Sequence, residues 1–148
     1  MTISAIKDIV TILGVLFAAV SLAFTAVNTK LTVKWNRARY WLEFQDRFSP
    51  HDEVHRRLRP GGLWASGKGP ESPEDWAMVE AYMGFLEQFE PMIEEGLILE
   101  RTFRERYAYR LNNIIANDII WREKLQDSAV GWRLFLALNK RMGIWLPQ

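Results

Sequence analysis

The feature that most constrains the fold is an uninterrupted apolar run near the N-terminus. Residues 9–27 form a stretch of 19 without a charged side chain, and 11 of them are Ile, Val, Leu or Phe. At 1.5 Å per residue, a helix of this length spans about 28 Å, close to the ~30 Å hydrocarbon core of a bilayer. These eleven side chains favour insertion by roughly 3 to 6 kcal/mol. The run therefore predicts a transmembrane helix.

Two other interpretations of the run are a cleaved signal peptide and a buried core helix. Ser21-Leu22-Ala23 loosely fits a cleavage site, but the run is longer than a typical signal core and Asp8 interrupts the basic flank. A domain as small as the remaining chain could hardly surround an apolar helix on every side. We therefore favour the transmembrane interpretation.

The charges that flank the run predict its orientation. Lys7 precedes it beside Asp8, whereas a group of basic residues follows it. By the positive-inside rule, the N-terminus lies outside and the C-terminal domain lies in the cytoplasm. We expect the anchors at the membrane interface to be Lys30, Lys34, Trp35, Arg37 and Arg39.

Small and polar residues recur along the same run at helical spacing. Successive members stand 3, 4, 3, 4 and 3 residues apart, a heptad pattern that is typical of helices in left-handed assemblies. Small residues let helix backbones approach closely, and hydroxyls hydrogen-bond across the contact. This stripe predicts self-association through Thr11, Gly14, Ala18, Ser21, Thr25 and Asn28.

Two alternatives to self-association stay open for this stripe. It could pack against a helix of another membrane protein, or its regularity could be coincidental, since alanine and glycine are common in membrane helices. In either assembly, the face turned to lipid would comprise Ile9, Leu13, Leu16, Phe17, Val20 and Phe24.

The rest of the chain predicts further helices, so that the fold class is all-α. Residues 30–48 contain no glycine or proline, which allows the membrane helix to continue through them. The expected domains are a transmembrane helix over 1–29, a juxtamembrane helix over 30–48 and a cytoplasmic helical domain over 49–148. We expect a single transmembrane helix that continues into a cytoplasmic bundle of three to five helices.

Cap and breaker residues predict where the later helices begin and end. Ser49-Pro50 and Ser72-Pro73 each place a capping serine before a proline at the first helical position. Other starts are expected near Glu100 and Ser128, and breaks are expected at Pro60-Gly61-Gly62, Pro91, Gly96 and Asn117. The last helix should carry an apolar stripe of Val130, Leu134, Phe135, Leu138 and Met142.

Charge is distributed in blocks along the chain. Residues 1–60 carry a net charge of +4, residues 61–100 carry −8 and residues 101–148 carry +5. The pattern indicates an acidic helix packed between basic ones. A sharper interpretation is an anionic-ligand site, since the planar guanidinium suits phosphate. Its residues would be Arg101, Arg104, Arg106, Arg110, Arg122 and Arg133.

Motifs for chemistry are weak. Residues 62–69 match the glycine spacing of a phosphate-binding loop, but Gly69 replaces the Ser or Thr that holds magnesium and Pro70 follows it. His51 and His55 have a spacing that can hold zinc, but no third strong ligand is evident. The chain has no cysteine and its net charge is +1, which argues against thiolate metal sites and against nucleic-acid polymers as partners. We expect no enzyme activity, no metal and no cofactor.

Four segments carry a resemblance to known proteins: residues 85–90, 94–98, 103–110 and 132–141. From Met78 to Met142 the chain resembles an uncharacterised group of small bacterial proteins that have one N-terminal transmembrane helix and a short helical cytoplasmic domain. The resemblance rests on apolar pattern and covers under half of the chain. It implies the same topology and a bacterial source, hence an inner (cytoplasmic) membrane location, and it transfers no catalytic or binding residue.

These features together predict a single-pass membrane protein that self-associates and uses its helical domain for interaction. Its partners would be the lipid bilayer and either a second copy or another membrane protein, with a small anionic ligand as a further candidate. One alternative is a ligand-gated, membrane-disrupting or pore-forming effector of antiviral defence. Another is an accessory subunit of a larger membrane complex.

Overall fold

The computed structural model describes residues 3–65, 67–126, 130–145 and 147. Every regular element in these ranges is helical, which confirms the predicted all-α class. The α-helices are α1 (Ile3–Phe48), α2 (Asp52–Leu58), α3 (Pro73–Glu87), α4 (Phe89–Glu94), α5 (Glu100–Ile115), α6 (Asp118–Ile120) and α7 (Arg133–Arg141). A 3₁₀ turn covers Ser49–His51, and a π-helical segment covers Trp121–Gln126.

Helix α1 is uninterrupted over 46 residues, so the helix does continue through the juxtamembrane residues. The chain divides into two compact units, one up to Arg39 and one from Tyr40 onwards. The first unit is the greater part of α1. The second unit contains the last residues of α1 and all later helices, which form a bundle. The domain boundaries expected from the sequence stay a prediction.

The two Ser-Pro starts have different outcomes. Ser72 does cap α3: its hydroxyl accepts a hydrogen bond from the Asp75 amide, and the Asp75 carboxylate accepts one from the Ser72 amide. The prediction that Ser49 caps a helix is wrong, because α2 begins only at Asp52 and no side chain caps it. A capping residue needs extended backbone, whereas α1 runs up to Phe48 in helical geometry and leads directly into the 3₁₀ turn.

The predicted breaks coincide with the ends of helices. Helix α3 ends at Glu87, four residues before Pro91. In a continuous helix the Pro91 ring would clash with the Glu87 carbonyl, and Pro91 has no amide proton to donate to it. Gly96 follows α4 with a φ of 70°, the left-handed conformation that terminates helices. Asn117 separates α5 from α6.

The start of the last helix is later than expected. Ser128 lies outside the described residues, and α7 begins at Arg133. Val130 is therefore not part of a buried stripe; 93% of its surface is exposed. The buried members of the predicted stripe are Phe135, Leu138 and Met142. A turn at residues 130–132 displaces Val130 from the helical repeat that holds the other three.

Aromatic rings at the end of α1 anchor it in the core of the second unit. Phe48 stacks on Tyr107 of α5 with ring centroids 4.3 Å apart and meets Phe85 of α3 edge-on at 4.8 Å. Phe44 contacts Phe89 of α4 at 5.0 Å. These rings are almost completely buried except Tyr107, which is half-buried. Such pairs add about 0.5–1.5 kcal/mol each to the burial itself.

Ion pairs connect the acidic segment to basic neighbours within the same chain. Arg57 of α2 contacts Asp75 at 2.6 Å, and Arg141 of α7 contacts Glu90 at 2.6 Å. Lys124 of the π-helical segment pairs with Glu80. Both rings and charges thus join α3 and α4 to the surrounding helices, as the blocks of charge indicate.

Candidate functional site

The candidate site on the first unit is the exposed surface of α1. The described part of the chain holds one helix that is long and apolar enough to cross a membrane, judged by length and composition. Its large apolar side chains lie open: Phe17 is 76% exposed and Leu22 is 73% exposed. No described residue from 11 to 36 is buried. In water such a surface would be strongly unfavourable.

All six residues of the predicted self-association stripe lie on this open surface. Thr11, Gly14, Ala18, Ser21, Thr25 and Asn28 are exposed, and they belong to one continuous helix. A Cβ atom built on Gly14 meets nothing within 4 Å. The absence of a side chain at this position is therefore not required by the fold of the single chain.

The threonine hydroxyls of α1 donate hydrogen bonds along the helix itself. Thr11 donates to the Lys7 carbonyl at 2.9 Å, and Thr25 donates to the Ser21 carbonyl at 2.8 Å. Thr32 repeats the arrangement with the Asn28 carbonyl. This back-bonding satisfies the hydroxyl proton without water, so these threonines are compatible with an apolar environment.

The predicted interface anchors cluster just beyond the apolar run. Lys30, Lys34, Trp35 and Arg39 are exposed, and Arg37 is half-buried. Trp35 has 74% of its surface exposed. An indole with one polar edge is suited to the headgroup level of a bilayer.

Four of the six arginines proposed for an anionic ligand have partners among the described residues. Arg101 and Arg104 pair with acids one turn away on α5, Glu105 and Glu100. Arg106 lies over the ring of Trp41 at 5.7 Å. Arg122 and Arg133 are exposed on other elements. The anionic-ligand site stays a prediction.

Arg110 differs from the other five because it is inserted among aromatic rings. Its side chain is 13% exposed, and its guanidinium lies 4.9 Å from the Phe48 ring centre. It donates to a carboxylate oxygen of Asp52 at 3.3 Å and to the Tyr109 hydroxyl at 3.2 Å. Burial lowers the pKa of Arg110, but the Tyr109 hydrogen bond and the nearby Tyr82 phenol hold it above its ordinary value.

The two histidines pack on this arginine cluster. His51 stacks on Phe85 with ring centroids 4.9 Å apart, and His55 meets Tyr109 edge-on at 5.4 Å. Burial lowers the pKa of both, and the positive charge of Arg110 lowers each further, against the opposing effect of Asp52. Among the described residues no group of three or more His, Cys, Asp or Glu could hold a metal ion.

Sequence reasoning missed that Asn117, between α5 and α6, holds the loop that follows α2. The Asn117 amide donates to the carbonyls of Trp64 and Lys68, each at 2.8 Å, and its oxygen accepts from the Ile120 amide at 3.0 Å. Asparagine between two helices indicates a cap, but the loop it would hold is about 50 residues away in the sequence. A cavity of about 340 Å³ lies beside it, bounded by Trp64, Gly61 and Asn112 among others.

In this loop one tryptophan is buried and the neighbouring leucine is exposed. Trp64 is 4% exposed under the Arg57 guanidinium, 5.0 Å away, whereas Leu63 is 72% exposed. Trp64 therefore packs against the core, whereas Leu63 does not. The contacts of Asn117 and Trp64 show that this loop packs on the bundle. No helix begins at Pro70.

Comparisons with known proteins identify no relative. No protein-family model matches the chain, and no curated protein or solved structure is significantly similar to it. The bacterial resemblance of residues 78–142 stays a prediction, and the conclusion about function depends on the surfaces described above.

Proposed function

We propose that this protein is a single-pass membrane protein that self-associates through α1 and uses its helical unit to bind partners on the cytoplasmic side. The observation that carries the proposal is the open apolar surface of α1, where no described residue from 11 to 36 is buried. A chain with this surface needs lipid or another helix to cover it.

The stripe supports self-contact rather than lipid contact. No atom of the chain fills the space beside Gly14, and the small side chains of Ala18 and Ser21 lie on the same face of the helix. Because helix association in a bilayer depends on close backbone approach, small side chains on one face favour a helix neighbour there. The larger side chains Leu16, Val20 and Phe24 suit contact with lipid.

The basic residues after the run support a cytoplasmic position for the second unit. Four basic residues lie between Thr29 and Tyr40, and no acidic residue occurs between Asp8 and Glu43. This asymmetry favours retention of the C-terminal side in the cytoplasm. The second unit is proposed to bind partners and to catalyse no reaction.

Disulfide crosslinking in native membranes tests self-association, because the chain has no cysteine of its own. Oxidation of the Ser21→Cys variant should yield a covalent dimer, since position 21 lies on the stripe. Val20→Cys is the matched control: its position is adjacent and equally open, but on the larger face. It should stay monomeric.

A second variant separates packing from chance collision. Gly14→Leu added to Ser21→Cys should reduce the dimer by about half or more, because the leucine holds the two backbones apart. Equal crosslinking of Ser21→Cys and Val20→Cys would contradict the proposed face. Absence of both dimers, with a heterologous protein linked to Ser21→Cys instead, would favour the accessory-subunit alternative.

A further inference from the structure

A groove lies on α1 immediately after the apolar run. It has a volume of about 380 Å³ and lies among Val27, Lys30, Leu31, Lys34 and Arg37. Thr29 and Val33 complete the lining, so that three of its side chains are apolar, three are cationic and one is a threonine. The cations come at successive turns, spaced four and three residues apart. The groove therefore combines an apolar floor with a short ladder of positive charge.

Most of this groove lies off the self-association stripe, which it meets at Thr29, one turn after Thr25. At 3.6 residues per turn, Val27, Leu31 and Lys34 fall within about 60° of one another around the helix. Ser21 and Thr25 fall roughly 120–160° from Val27, on another face. Leu16 and Val20 lie close to the direction of Val27, so the groove continues the face with the larger apolar side chains. A second copy packed on the stripe would leave the side of the groove formed by Val27, Leu31 and Lys34 open to lipid.

The charges on this part of α1 select for an anion. Acidic residues are absent from the sequence between Asp8 and Glu43, and therefore from the whole groove. The apolar run ends at Val27, one turn before Lys30 and Leu31. A cation at that depth meets the phosphate level of a bilayer, and the apolar residues before it meet the acyl chains.

We propose that this groove binds an anionic phospholipid of the surrounding bilayer. One acyl chain lies along Val27 and Leu31, and the headgroup phosphate is held by Lys30 and Lys34 with Arg37 above them. The inference rests on the proposed function only in requiring that α1 spans the membrane; it does not require self-association. Each basic residue near an anionic surface is expected to strengthen lipid association about fivefold.

Quenching by brominated lipids tests this with the full chain in vesicles. The reporter is Phe24→Trp, which places an indole one turn before the groove on the lipid-facing side; its signal is the difference from the parent chain. We compare phosphatidylcholine vesicles that contain a minor fraction of brominated phosphatidylglycerol or of brominated phosphatidylcholine. The brominated phosphatidylglycerol should associate at the reporter at least about fivefold more strongly.

Two charge variants decide whether the groove is responsible. Lys30→Gln with Lys34→Gln should lower the ratio of the two association constants severalfold, with Arg37 left as the remaining contributor. The matched control, Arg59→Gln with Lys140→Gln, removes the same charge from exposed positions of the second unit. It should leave the ratio unchanged. Added inorganic phosphate should also leave it unchanged, because the site holds a lipid rather than a free anion.

Three results would overturn the inference. They are equal quenching by both brominated lipids, a ratio unaffected by the lysine variants, and loss of the preference on addition of inorganic phosphate. Alkaline extraction of the same membranes separates this failure from failure of the proposed function. If the chain stays in the bilayer but shows no lipid preference, the groove proposal alone is wrong; if it is extracted, the membrane-spanning proposal fails as well.

Discussion

At the scale of single residues, the clearest structural dependence is on Asn117. Its side chain makes three hydrogen bonds, two to carbonyls of the loop after α2 and one to the first turn of α6. The residue is 8% exposed, so water cannot replace these partners easily. One amide therefore holds the loop that carries Trp64 against the C-terminal end of α5.

Replacement of this amide should destabilise the protein measurably. Asn117→Ala removes the α6 cap and leaves the Trp64 and Lys68 carbonyls without these donors, and we expect a loss of about 2–3 kcal/mol in the free energy of unfolding. Urea denaturation followed by circular dichroism in detergent measures it. Asn112→Ala, at an exposed position of α5, is the control and should change stability by under about 0.5 kcal/mol. Equal effects of both substitutions would refute the role of Asn117.

At the scale of elements, the contacts of α2 depend on charge state. It packs against α3 through Arg57 and Asp75 and against α5 through Asp52 and Arg110. His51, in the turn before it, and His55, within it, both have lowered pKa values because burial disfavours the charged imidazole. Arg110 opposes their protonation, as does Arg59 for His55, whereas Asp52 favours it.

The contacts of α2 should therefore weaken in mild acid. Since both histidine pKa values are lower in the folded chain, the unfolded chain binds more protons below about pH 6.5. Stability is fully present above that pH and falls as the pH drops through the histidine range. Denaturant midpoints at pH 7.5 and about 5 measure the loss, and most carboxylates stay ionised over this interval.

Matched substitutions identify the histidines as the cause. His51→Gln with His55→Gln should reduce the difference between the two midpoints, because glutamine cannot be protonated in this range. Glu94→Gln, at an exposed end of α4, is the control and should preserve it. A midpoint difference that survives loss of both histidines would assign the acid sensitivity to other groups.

At the scale of the whole molecule, the two units differ in what stabilises them. The unit from Tyr40 onwards buries its aromatic core and pairs its acidic segment internally. The unit up to Arg39 has an open surface in every described residue from 11 to 36. Hydrophobic burial therefore stabilises the second unit within the chain, whereas the apolar surface of the first unit would have to be covered by lipid or by another helix.

Separation of the units should follow this difference. A fragment of residues 40–148 should be helical, monomeric and free in solution, because its core residues Phe44, Phe48 and Phe89 are retained. Size-exclusion chromatography and circular dichroism check both properties. Phe48→Ala in the fragment should cost about 3–5 kcal/mol or prevent folding. A fragment that aggregates with wild-type core residues would show that the second unit needs α1 in full.

Much of the local structure could be predicted from the sequence because it depends on neighbours in the chain. The uncharged run, the Ser72 cap, the break before Pro91 and the turn at Gly96 each follow from backbone sterics or helical periodicity over a few residues. The same locality explains the error at Ser49. A serine-proline pair signals a new start only if the preceding helix has ended, and α1 continues to Phe48.

The packing of the helices is needed to see which of six similar arginines is inserted among rings, and which asparagine holds a distant loop. Arg110 meets Asp52 across 58 positions, and Asn117 meets Trp64 across 53. No local pattern encodes such contacts, because they depend on how buried faces pack together. The all-α class and one helix apolar enough for a membrane could be predicted from the sequence, since both follow from the composition and period of continuous segments. The partners of its polar side chains required the packed bundle.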